Sequence, residues 1–473
     1  MSISKLFLPK SFPVASHTDN ITSGSIFVAI DGYKQNGFDF IDLAIKRGAV
    51  RVVLHKDANI SALIPKYPNI KFTLVENTRK SLAILAAKKL NLPVSKLKII
   101  GVTGTKGKTS TTFLIEYLLQ KAGHKTALLG TIKNTILDQE IESSQTTMGS
   151  DWLHVFFNEC VKAGVEYVVM EVSSHALSLE RVYGFEFDIA CFTNLAAEHM
   201  DFYEDLESYF EAKSILFSQI KQCGMAIINV DDEWGKKLKA SLKRKNLKLI
   251  SFGKNRNVFI KKNDLSGLNI EILSDGKTFK LGSSLFGEFN AHNLSMAFFV
   301  CKSLGIDNNL MLKNVSKFPG IPGRIQKHKL KNGAYAFVDY AHNPSSFEAV
   351  LRPLSVFSNN LIVVFGCGGD RDKTKRPFMG KIASLYGDKI IISNDNPRNE
   401  DPKLIISDIL CGILPSKKEF TYVEMNRKDA ISMAVELSKK GSIIALLGKG
   451  HENYYLVGDK KFYFDDYEEI SKF

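Results

Sequence analysis

Lys98-Ile-Ile-Gly-Val-Thr-Gly-Thr-Lys-Gly-Lys-Thr-Ser110 is the stretch that decides the fold. Its apolar start predicts a buried strand, and apolar side chains recur at helical spacing over residues 113–122, where Gly123 can end the helix. Strand, glycine loop and helix in this order are typical of a phosphate-binding loop. Gly104 and Gly107 let backbone N–H groups approach phosphate oxygens, and the helix N-terminus adds partial positive charge.

Two side chains at the start of the predicted helix can bind a nucleoside triphosphate. Lys108 would reach the β- and γ-phosphates, and the Thr109 hydroxyl would contact Mg²⁺. The strict loop pattern needs glycine at position 102, where this chain has Val102, so Thr103–Thr109 is a shorter loop. A glycine-rich turn with an incidental lysine is the alternative. By itself, the loop indicates a nucleotide but not a reaction.

The composition is that of a folded protein with sizeable cores. Of the 473 residues, 44% are hydrophobic and 24% charged, which excludes a disordered, collagenous or coiled-coil chain. This length predicts about three domains. No apolar run approaches the length of a membrane span, and the N-terminal segment lacks the apolar core of a signal peptide. The 6 cysteines include no Cys-x-x-Cys pair, which favours a reduced, cytoplasmic location.

The charge balance favours anionic partners. Lys and Arg total 63 against 50 Asp and Glu, a net charge of +13. A positive field attracts nucleic acid, an anionic membrane surface or a phosphorylated substrate, and charge alone does not choose between them. An NTPase that binds nucleic acid would need a basic stripe or stacking aromatic side chains, and the sequence contains neither pattern.

The domain organisation follows from the alternation of short apolar runs with longer helical patterns. This alternation predicts an α/β fold with largely parallel sheets. Two stretches rich in proline, glycine or polar residues interrupt it, Leu90–Ser95 and Phe318–Arg324. We therefore expect three domains, at residues 1–95, 96–322 and 323–473.

Polar clusters directly follow six apolar runs, at the strand ends where open α/β sheets bind ligands. The runs and clusters are Tyr167–Met170 before Glu171–His175, Asp188–Phe192 before Thr193–His199, Ala336–Asp339 before Tyr340–Pro344, Leu361–Phe365 before Gly366–Arg371, Lys389–Ser393 before Asn394–Arg398, and Ile443–Leu447 before Gly448–Glu452. Together with the phosphate loop, they indicate active-site edges in two sheets. Glu171 and His199 could ligate Mg²⁺, although a single histidine at a strand end is more often structural. Asp339 and His342 could position groups near a γ-phosphate, or could cap a turn before Pro344.

These segments, in this order, resemble the Mur ligases, the ATP-dependent amide-forming enzymes of peptidoglycan precursor synthesis. The resemblance covers essentially the whole chain, and its motifs are TGTKGKTS (103–110), EVSSHAL (171–177), TNLAAEHMDFY (193–203), YFEAKSILF (209–217), LFGEFNAHNLSMA (285–297), PGR (322–324), DYAHNP (339–344), GCGGDRDKTKRP (366–377), DNPR (395–398) and GKGHE (448–452). It implies a small N-terminal α/β domain that binds UDP, a central ATPase domain with a P-loop-type sheet, and a C-terminal Rossmann-like domain.

The resemblance also implies the ATP and metal ligands. The ATP-binding positions would be Thr103, Gly104, Thr105, Lys106, Gly107, Lys108, Thr109, Asn290, Asn293 and Arg324. The Mg²⁺ positions would be Thr109, Glu171, His199 and Lys213. Lys213 matches the family lysine that reacts with CO₂, since a carbamate gains a carboxylate-like group that can ligate a second Mg²⁺. A solvated helix lysine is the alternative. Asp339 and His342 complete the catalytic set.

Further matched positions imply two substrate pockets. The UDP-linked substrate would contact Thr18, Tyr33, Lys34, Gln35, Thr146, Thr147, Ser173 and Arg181. The amino acid would contact Arg371, Asp395, Asn396, Pro397, Arg398, Gly448 and Glu452. Two departures affect local contacts in the first pocket. His17-Thr-Asp19 stands where the family usually has Asp-Ser-Arg, and Leu179 stands where some members use glutamine.

The arginine that ends DNPR resembles the branch that adds meso-diaminopimelate to the D-Glu γ-carboxylate of UDP-N-acetylmuramoyl-L-alanyl-D-glutamate. Arg398 can pair bidentately with the distal carboxylate, which lysine lacks, and Glu452 can pair with the distal ammonium. The implied reaction passes through an acyl phosphate and serves cell-wall biogenesis, cell shape and cell division.

Several alternatives stay open at this stage. The third amino acid could be L-lysine or another diamino acid, and a folylpolyglutamate-synthetase-like ligase shares the loop and a turn like DYAHNP. The EVSSHAL and DNPR segments argue against the latter. The intact ATP and metal residues argue against a non-catalytic binding module. We expect a cytoplasmic monomer that uses ATP and Mg²⁺, has no membrane span and does not bind nucleic acid.

Overall fold

The chain forms largely parallel sheets with helices packed on them, and the computed structural model describes residues 8–32, 35–243 and 247–473. The strands of these ranges are β1 Val14–Ala15, β2 Ile26–Val28, β3 Arg51–His55, β4 Lys71–Val75, β5 Lys98–Thr103, β6 Thr126–Leu129, β7 Asn134–Ile136, β8 Gln139–Ile141, β9 Tyr167–Glu171, β10 Phe187–Phe192, β11 Ile220–Asn229, β12 Lys248–Phe252, β13 Val258–Asp264, β14 Gly267–Ser274, β15 Lys277–Ser283, β16 Gln326–Lys329, β17 Tyr335–Asp339, β18 Leu361–Phe365, β19 Lys389–Ile392, β20 Thr421–Val423, β21 Ile443–Leu447, β22 Tyr454–Val457 and β23 Lys460–Tyr463.

The helices alternate with the strands along the chain. They are α1 Ile41–Lys46, α2 Leu63–Lys66, α3 Thr78–Lys89, α4 Lys108–Lys121, α5 Ser150–Lys162, α6 Ser174–Ser178, α7 Leu206–Ser218, α8 Glu233–Lys243, α9 Glu288–Ser303, α10 Asn308–Val315, α11 Pro344–Ser355, α12 Lys375–Tyr386, α13 Pro402–Leu410, α14 Arg427–Glu436 and α15 Asp466–Ile470. Short 3₁₀ turns cover Thr18–Asn20, Gly37–Phe40, Pro93–Lys96 and Pro415–Phe420. Among the described residues, none of the helices has the length and apolar character needed to cross a bilayer.

The largest sheet has the strand order β12-β11-β10-β5-β9-β6-β7-β8. Its strands pair in parallel from β12 to β6, and β7 and β8 add an antiparallel edge. Apolar helices cover both faces, so β5 and β9 are nearly continuous buried runs, as parallel strands require. The register pairs Phe192 with Thr103, and Val102 with Glu171. The carboxyl ends of β10, β5 and β9 therefore lie level at one edge.

The N-terminal sheet is parallel, in the order β1-β2-β3-β4, and it packs on the same body as the large sheet. Val155 of α5 belongs to the apolar cluster that contains Phe27 and Leu54. The backbone N–H and the hydroxyl of Ser16 both donate to Asp151 on α5, at 2.8 and 2.9 Å. These contacts explain why the chain up to Lys261, with Asn269–Gly282 and Glu288–Phe318, clusters as one compact unit, called the first unit here.

The second unit comprises Lys262–Leu268, Ser283–Gly287 and Pro319–Phe473. Its sheet has the order β16-β17-β21-β18-β19-β20, with β16 antiparallel and the others parallel. The register pairs Leu447 at the end of β21 with both Asp339 and Phe365. The carboxyl ends of β17, β21 and β18 are thus level, and the loops that follow them share one edge.

The predicted α/β class is confirmed, and each of the six apolar runs forms a strand. The helix predicted after the phosphate loop covers Lys108–Lys121, and Gly123 adopts a positive φ of 88° just beyond it. The domain boundary near residue 95 lies in the 3₁₀ turn Pro93–Lys96, and the boundary near 322 lies close to Pro319, where the second unit resumes. The division into three domains at these positions stays a prediction.

Candidate functional site

The phosphate loop occupies the turn between β5 and α4, and its glycines are required by close packing. Gly104 has a φ of 143° and Gly107 a φ of 84°, in the region that favours glycine. A Cβ on Gly104 would collide with the Thr193 hydroxyl, and one on Gly107 would lie 2.6 Å from Asn293 Oδ1. The loop is therefore packed between the segment after β10 and helix α9.

The segment after β10 fixes the shape of the loop by hydrogen bonds. Thr193 Oγ1 and Asn194 Nδ2 donate to Lys106 O at 2.7 and 3.0 Å, and Asn194 Oδ1 accepts from Lys106 N at 2.9 Å. The Thr105 hydroxyl accepts from Ala196 N at 3.0 Å. The side chain of Asn194 thus hydrogen-bonds both the backbone N–H and the backbone carbonyl of Lys106. These bonds hold the loop in a defined conformation.

The side-chain nitrogens of two lysines meet at this loop. Lys108 Nζ donates to Gly104 O and Thr105 O at 2.8 and 3.0 Å, and Lys213 Nζ, from α7, donates to the same Gly104 carbonyl at 3.0 Å. Lys213 is 1% exposed and lies 4.2 Å from the centre of the Tyr209 ring. Burial, reinforced by the charge of Lys108, holds the pKa of Lys213 well below its usual range, against the opposing charge of Glu198. The Lys213 amine is therefore poised to be neutral, which is the nucleophilic form.

Glu171 brings a buried carboxylate to the first turn of α4. It is 1% exposed, and its Oε2 accepts from the hydroxyls of Thr109 at 3.0 Å and Thr131 at 3.2 Å. Its Oε1 accepts from the backbone N–H of Thr131 at 2.9 Å. A carboxylate beside a threonine hydroxyl is the oxygen-donor set that Mg²⁺ prefers, with water and phosphate oxygens completing the shell. Thr109 and Glu171 therefore fit a magnesium ion; Thr131 is a partner that sequence reasoning missed.

The remaining predicted metal position, His199, lies in a cluster of aromatic rings. Its ring centre is 4.7 Å from that of His175, at an interplanar angle of 89°, and 6.1 Å from that of Tyr209. His199 has a positive φ of 61°, an unusual conformation for a residue other than glycine. Burial lowers the pKa of both histidines, and Glu198 opposes this shift at His199. Both imidazoles are thus favoured in the neutral form, which can ligate a metal. Within the described ranges, no three His, Cys, Asp or Glu side chains converge on one metal position.

The predicted nucleotide asparagines lie on α9, against the loop helix. Asn293 Oδ1 accepts from the Thr111 hydroxyl at 3.3 Å, and Asn293 Nδ2 donates to Asn290 Oδ1 at 3.0 Å. Both amides are buried, at 5% and 3% exposure. The structure therefore brings these two residues to Gly107 and the first turn of α4, beside the phosphate loop.

Four of the positions predicted for the UDP-linked substrate form one hydrogen-bonded group behind Glu171. Thr147 Oγ1 donates to Glu171 O at 2.9 Å and accepts from Ser173 N at 3.1 Å. Arg181 Nη1 donates to Thr147 O at 2.7 Å, and the hydroxyls of Thr146 and Thr131 lie 3.0 Å apart. This group connects Glu171 and Thr131 to the turn after α6, which carries Arg181.

Thr18 and Gln35, two of the other UDP positions, lie near the N-terminal sheet. Thr18 is buried in the 3₁₀ turn Thr18–Asn20, where His17 Nδ1 accepts from Asp19 N. The Gln35 carbonyl accepts from Gly32 N at 3.0 Å. Tyr33 and Lys34 lie outside the described residues.

Arg79, in the first turn of α3, is a basic residue that the sequence did not single out. Its Nη2 donates to Asp31 O at 2.9 Å. Its neighbour Lys80 lies 3.5 Å from Glu180 Oε1, which holds this turn of α3 beside Arg181. Burial lowers the pKa of Arg181, and the charge of Arg79 lowers it further. Two guanidinium groups close enough to repel each other favour an anion between them. No local signal could have shown this, because the two arginines are distant in sequence.

In the second unit, the end of β17 carries the residues of the DYAHNP motif. Asp339 accepts from the backbone N–H groups of Ile325 and Ala341, each at 2.8 Å. This anchors the turn before Arg324, whose guanidinium carbon lies 5.2 Å from the centre of the Tyr340 ring. Among the described residues, Arg324 Nε has no hydrogen-bond partner. His342 Nδ1 lies 2.8 Å from Tyr340 O, and burial lowers the pKa of its imidazole.

The predicted amino-acid positions converge where β17, β19 and β21 end. Glu452 Oε2 accepts from Asn396 Nδ2 at 2.9 Å, and its Oε1 accepts from the Tyr340 hydroxyl at 3.3 Å. A Cβ on Gly448 would lie 2.8 Å from Asp395 Oδ2, so a larger residue would crowd that carboxylate. Burial and the charge of Asp395 raise the pKa of Glu452. Tyr340 was not among the predicted pocket residues.

Arg398 is held in a strained conformation at the edge of this pocket. Its φ is 53°, in the left-handed region, and its backbone N–H donates to Leu456 O at 3.1 Å. Its Nη1 donates to Gly369 O at 2.8 Å. Pro397 packs closely on Gly369, because a Cβ on Gly369 would collide with the carbonyl oxygen of Pro397. The loop that leads to the exposed Arg371 therefore lies against Arg398.

Two buried arginines, Arg376 and Arg427, hydrogen-bond the backbone of the segments that carry these loops. Sequence reasoning missed both. Arg376, 0% exposed, donates to both oxygens of Glu400 at 3.1 Å and to Asp408 at 2.8 Å, and it holds the pKa of Glu400 at about 2. Arg427 pairs bidentately with Asp466, at 2.7 and 2.6 Å.

The two arginines also bind the backbone of the pocket loops. Arg376 Nη2 donates to Gly368 O at 3.3 Å, next to Gly369. Arg427 donates to Leu447 O at 3.0 Å and to Asn394 O at 3.3 Å, which ties the end of β21 to the segment after β19. The positions of the loops that carry Arg398 and Glu452 therefore depend on the buried guanidinium groups of Arg376 and Arg427.

Comparison with known proteins assigns the family. Three family models match along the chain: "Mur ligase family, catalytic domain" over residues 17–99, "Mur ligase middle domain" over 102–301, and "Mur ligase, glutamate ligase domain" over 323–450. A UDP-N-acetylmuramoyl-L-alanyl-D-glutamate–2,6-diaminopimelate ligase of Clostridium acetobutylicum is 40% identical over 466 residues, with 96% of this chain and 92% of that protein covered.

Solved structures agree with this assignment. A structure of a UDP-N-acetylmuramoyl-L-alanyl-D-glutamate–2,6-diaminopimelate ligase superposes with a TM-score of 0.70 at 30% identity, covering 98% of this chain and 94% of the other. Folylpolyglutamate synthase of Mycobacterium tuberculosis, solved with ADP and AMPPCP, gives a TM-score of 0.63 at 17% identity over 78% of this chain and 92% of its own, which shows a shared fold alone. The chain therefore belongs to the Mur ligase family.

Proposed function

We propose that the chain is an ATP-dependent ligase that joins meso-diaminopimelate to the D-Glu γ-carboxylate of UDP-N-acetylmuramoyl-L-alanyl-D-glutamate, in peptidoglycan precursor synthesis. The observation that carries the proposal is the pocket in which Asn396 and Tyr340 hold Glu452 next to the Arg398 loop. A curated relative that covers 96% of the chain is named as a ligase of UDP-N-acetylmuramoyl-L-alanyl-D-glutamate and 2,6-diaminopimelate. We propose that the enzyme has three domains, at residues 1–95, 96–322 and 323–473.

ATP phosphates would bind the loop Thr103–Thr109 and the N-terminus of α4. The backbone N–H groups there and the ammonium of Lys108 offset the charge that repels an incoming carboxylate. Thr109 and Glu171 would hold Mg²⁺, with His199 contributing to a second site. A bound Mg²⁺ would supply charge neutralisation for the transferring phosphoryl group. Asn290, Asn293, Arg324 and Asp339 are the further positions that we propose contact the nucleotide.

Lys213 would carry a carbamate in the working enzyme. The neutral amine, favoured by burial and by the charge of Lys108, attacks the carbon of CO₂, a C–N bond forms, and one proton leaves to solvent. The product replaces a basic group with a carboxylate-like anion beside Gly104. It would thereby add an oxygen ligand for a metal next to the phosphate loop, and its negative charge would attract the ammonium of Lys108.

The reaction would proceed in two chemical steps. The γ-carboxylate of the D-Glu residue attacks the γ-phosphorus of ATP, and ADP leaves with the bridging oxygen, which gives an acyl phosphate. The amine of diaminopimelate then attacks the acyl carbon, and inorganic phosphate leaves from the tetrahedral intermediate as the amide forms. Thr146, Thr147, Ser173 and Arg181 would hold the UDP-linked acid, with Thr18 and Gln35 nearer the N-terminal sheet.

The proposed amino-acid pocket would favour diaminopimelate over lysine. Arg398, helped by Arg371, can bind the distal carboxylate bidentately, and Glu452 can pair with the distal ammonium. With lysine, the guanidinium would lose its partner, at a cost of about 3–5 kcal/mol. Such a cost corresponds to a preference of roughly 150-fold to 4,000-fold. Gly448, Asp395, Asn396 and Pro397 would shape the rest of this pocket.

The test is phosphate release from ATP with UDP-N-acetylmuramoyl-L-alanyl-D-glutamate and each candidate amino acid in turn. We expect release that depends on meso-diaminopimelate, with L-lysine weaker by at least a hundredfold in kcat/KM. Equal use of lysine would contradict the assignment of the substrate. Phosphate release that needs a folate and glutamate instead would favour a folylpolyglutamate-synthetase-type enzyme. The substrates are water-soluble, and we propose a cytoplasmic monomer.

A further inference from the structure

Lys449 is a buried cation in the amino-acid pocket to which no step above assigns a role. It lies two residues after the end of β21, is 0% exposed, and its Nζ has no hydrogen-bond partner among the described residues. The nearest anions are Asp395 Oδ1 at 3.7 Å and Glu452 Oε2 at 4.0 Å. Asp395 Oδ1 is itself a buried oxygen without a hydrogen bond in the described part of the chain. A bare ammonium and a bare carboxylate oxygen, both buried, are costly unless they serve a function.

The charges around these groups give Lys449 a specific task. Asp395 and Glu452 are two carboxylates close enough to repel each other, because the charge of Asp395 raises the pKa of Glu452. The other nearby cation, Arg427, is engaged bidentately by Asp466. Lys449 is therefore the cation that stands between the two carboxylates. With it, the three side chains carry a net charge of −1; without it, they would carry −2.

We propose that Lys449 is a positioning residue for the amino-acid substrate: its ammonium balances the Asp395 and Glu452 carboxylates, so that Glu452 stays ionised and free to pair with the substrate's distal ammonium. This inference rests on the proposed function, because it deepens the role given there to Glu452. It also accounts for the missing hydrogen bonds. An ammonium bonded tightly to Glu452 would compete with the substrate, whereas one held 4.0 Å away stabilises the carboxylate and leaves its oxygens available.

The groups facing Glu452 set the sign of the expected effect. Burial and Asp395 raise its pKa, while Lys449 and the hydrogen bonds from Asn396 and Tyr340 lower it. The charge of Arg427 also favours the ionised form. Removal of the lysine charge must therefore raise the pKa of Glu452 further. At neutral pH, part of the enzyme would then carry a protonated Glu452, which cannot pair with an ammonium.

The first experiment compares Lys449→Met and Lys449→Gln with the unmodified enzyme between pH 6 and 9. For both variants, we expect KM for the diamino acid to rise at least tenfold at pH 7, kcat to change less than threefold, and KM for ATP to stay constant. The acid limb of the kcat/KM profile should move to higher pH by at least one unit. Glutamine keeps a hydrogen-bond donor without the charge, so agreement between the two variants assigns the effect to charge. An acid limb that stays in place would overturn the proposal, even if KM rose.

A matched control is Lys389→Met, at the opposite end of β19, where the ammonium donates to Leu437 O at 3.2 Å. It removes a lysine from the same sheet and should leave the pH profile unchanged. If the control shifts the profile equally, the effect is a general change in charge and the proposal fails.

The second readout needs no substrate and separates this inference from the proposed function. In protein labelled with ¹³C at the glutamate carboxyl carbons, the Glu452 signal is identified by its loss in Glu452→Gln. We expect its titration midpoint to rise by at least one unit in Lys449→Met. A midpoint that does not move refutes the role of Lys449. If instead the midpoint moves but the unmodified enzyme rejects diaminopimelate, the substrate assignment fails and the charge coupling stands.

Discussion

Glu116 offers a sharp test of how burial controls charge in the first unit. It lies on α4, the helix that follows the phosphate loop, and its Oε1 accepts from the hydroxyls of Thr135 at 3.1 Å and Thr126 at 3.4 Å. The side chain is 7% exposed. Burial raises its pKa from 4.5 to about 7, although these hydrogen bonds and the charge of Lys133 oppose the rise. A neutral amide of the same shape, Glu116→Gln, should therefore be better tolerated than the native carboxylate at alkaline pH.

The magnitude follows from the shift. A pKa raised from 4.5 to about 7 corresponds to about 3 kcal/mol of differential stability. Because the pKa of the folded state is raised, the contribution of Glu116 to the free energy of unfolding is fully present below pH 4.5 and is lost as pH rises through about 7. We expect Glu116→Gln to match the native protein near pH 5 and to be more stable by about 2–3 kcal/mol at pH 8.5.

The assay is calorimetric or urea-induced unfolding of the first-unit transition at several pH values. The exposed Glu233→Gln on α8, whose partner Lys236 lies 2.6 Å away, is the control, because a surface pair contributes little. The reasoning is refuted if Glu116→Gln and the native protein lose stability in parallel between pH 5 and 8.5. A stabilisation that is equal at both pH values would also contradict it, because it would not involve ionisation.

Four further predictions concern the proposed chemistry. Lys108→Ala should abolish ATP-dependent phosphate release while circular dichroism and the unfolding midpoint stay near native; near-normal turnover would refute the ATP assignment. Gly104→Ala should lower activity at least a hundredfold, since its Cβ would meet the Thr193 hydroxyl and displace the loop, and an unaltered rate would show that the loop does not bind phosphate. Arg398→Ala should raise KM for diaminopimelate by about two to three powers of ten and barely change KM for ATP; a uniform loss across substrates would contradict selective binding. Native mass spectrometry at saturating bicarbonate should show one added CO₂ that Lys213→Ala lacks, and an unmodified Lys213 under those conditions would count against the carbamate.

The sequence predicted those parts of the site that have a local signature. A short apolar run followed by glycine, lysine and threonine gives a strand, a loop and a helix without knowledge of any distant residue. The same holds for the strand ends that carry Glu171, Asp339 and Arg398. The level ends of β17, β21 and β18 then bring three such loops together, because parallel strands with matched registers present the same edge.

The buried ion pairs that position the loops of the site could not be predicted, because the two members of each pair are far apart in sequence. Arg376 and Glu400 are 24 residues apart, and Arg427 and Asp466 are 39 apart. Charged side chains are ordinarily expected at the surface, so the complete burial of Arg376 and Lys449 runs against the pattern on which sequence reasoning depends. Thr131 illustrates the same limit: it bonds Glu171 from the far end of β6, and nothing in its own neighbourhood signals a carboxylate.

The ion pair between Arg427 and Asp466 has a consequence for biosynthesis. Asp466 follows every proposed amino-acid-binding residue along the chain, and its carboxylate is buried beside the guanidinium that holds Leu447 and Asn394. During synthesis, the segments after β19 and β21 are made before Asp466, the carboxylate that pairs with Arg427. The proposed amino-acid pocket therefore gains this ion pair only once α15 has been synthesised, and a chain that lacks α15 would leave Arg427 as a buried cation without its carboxylate partner.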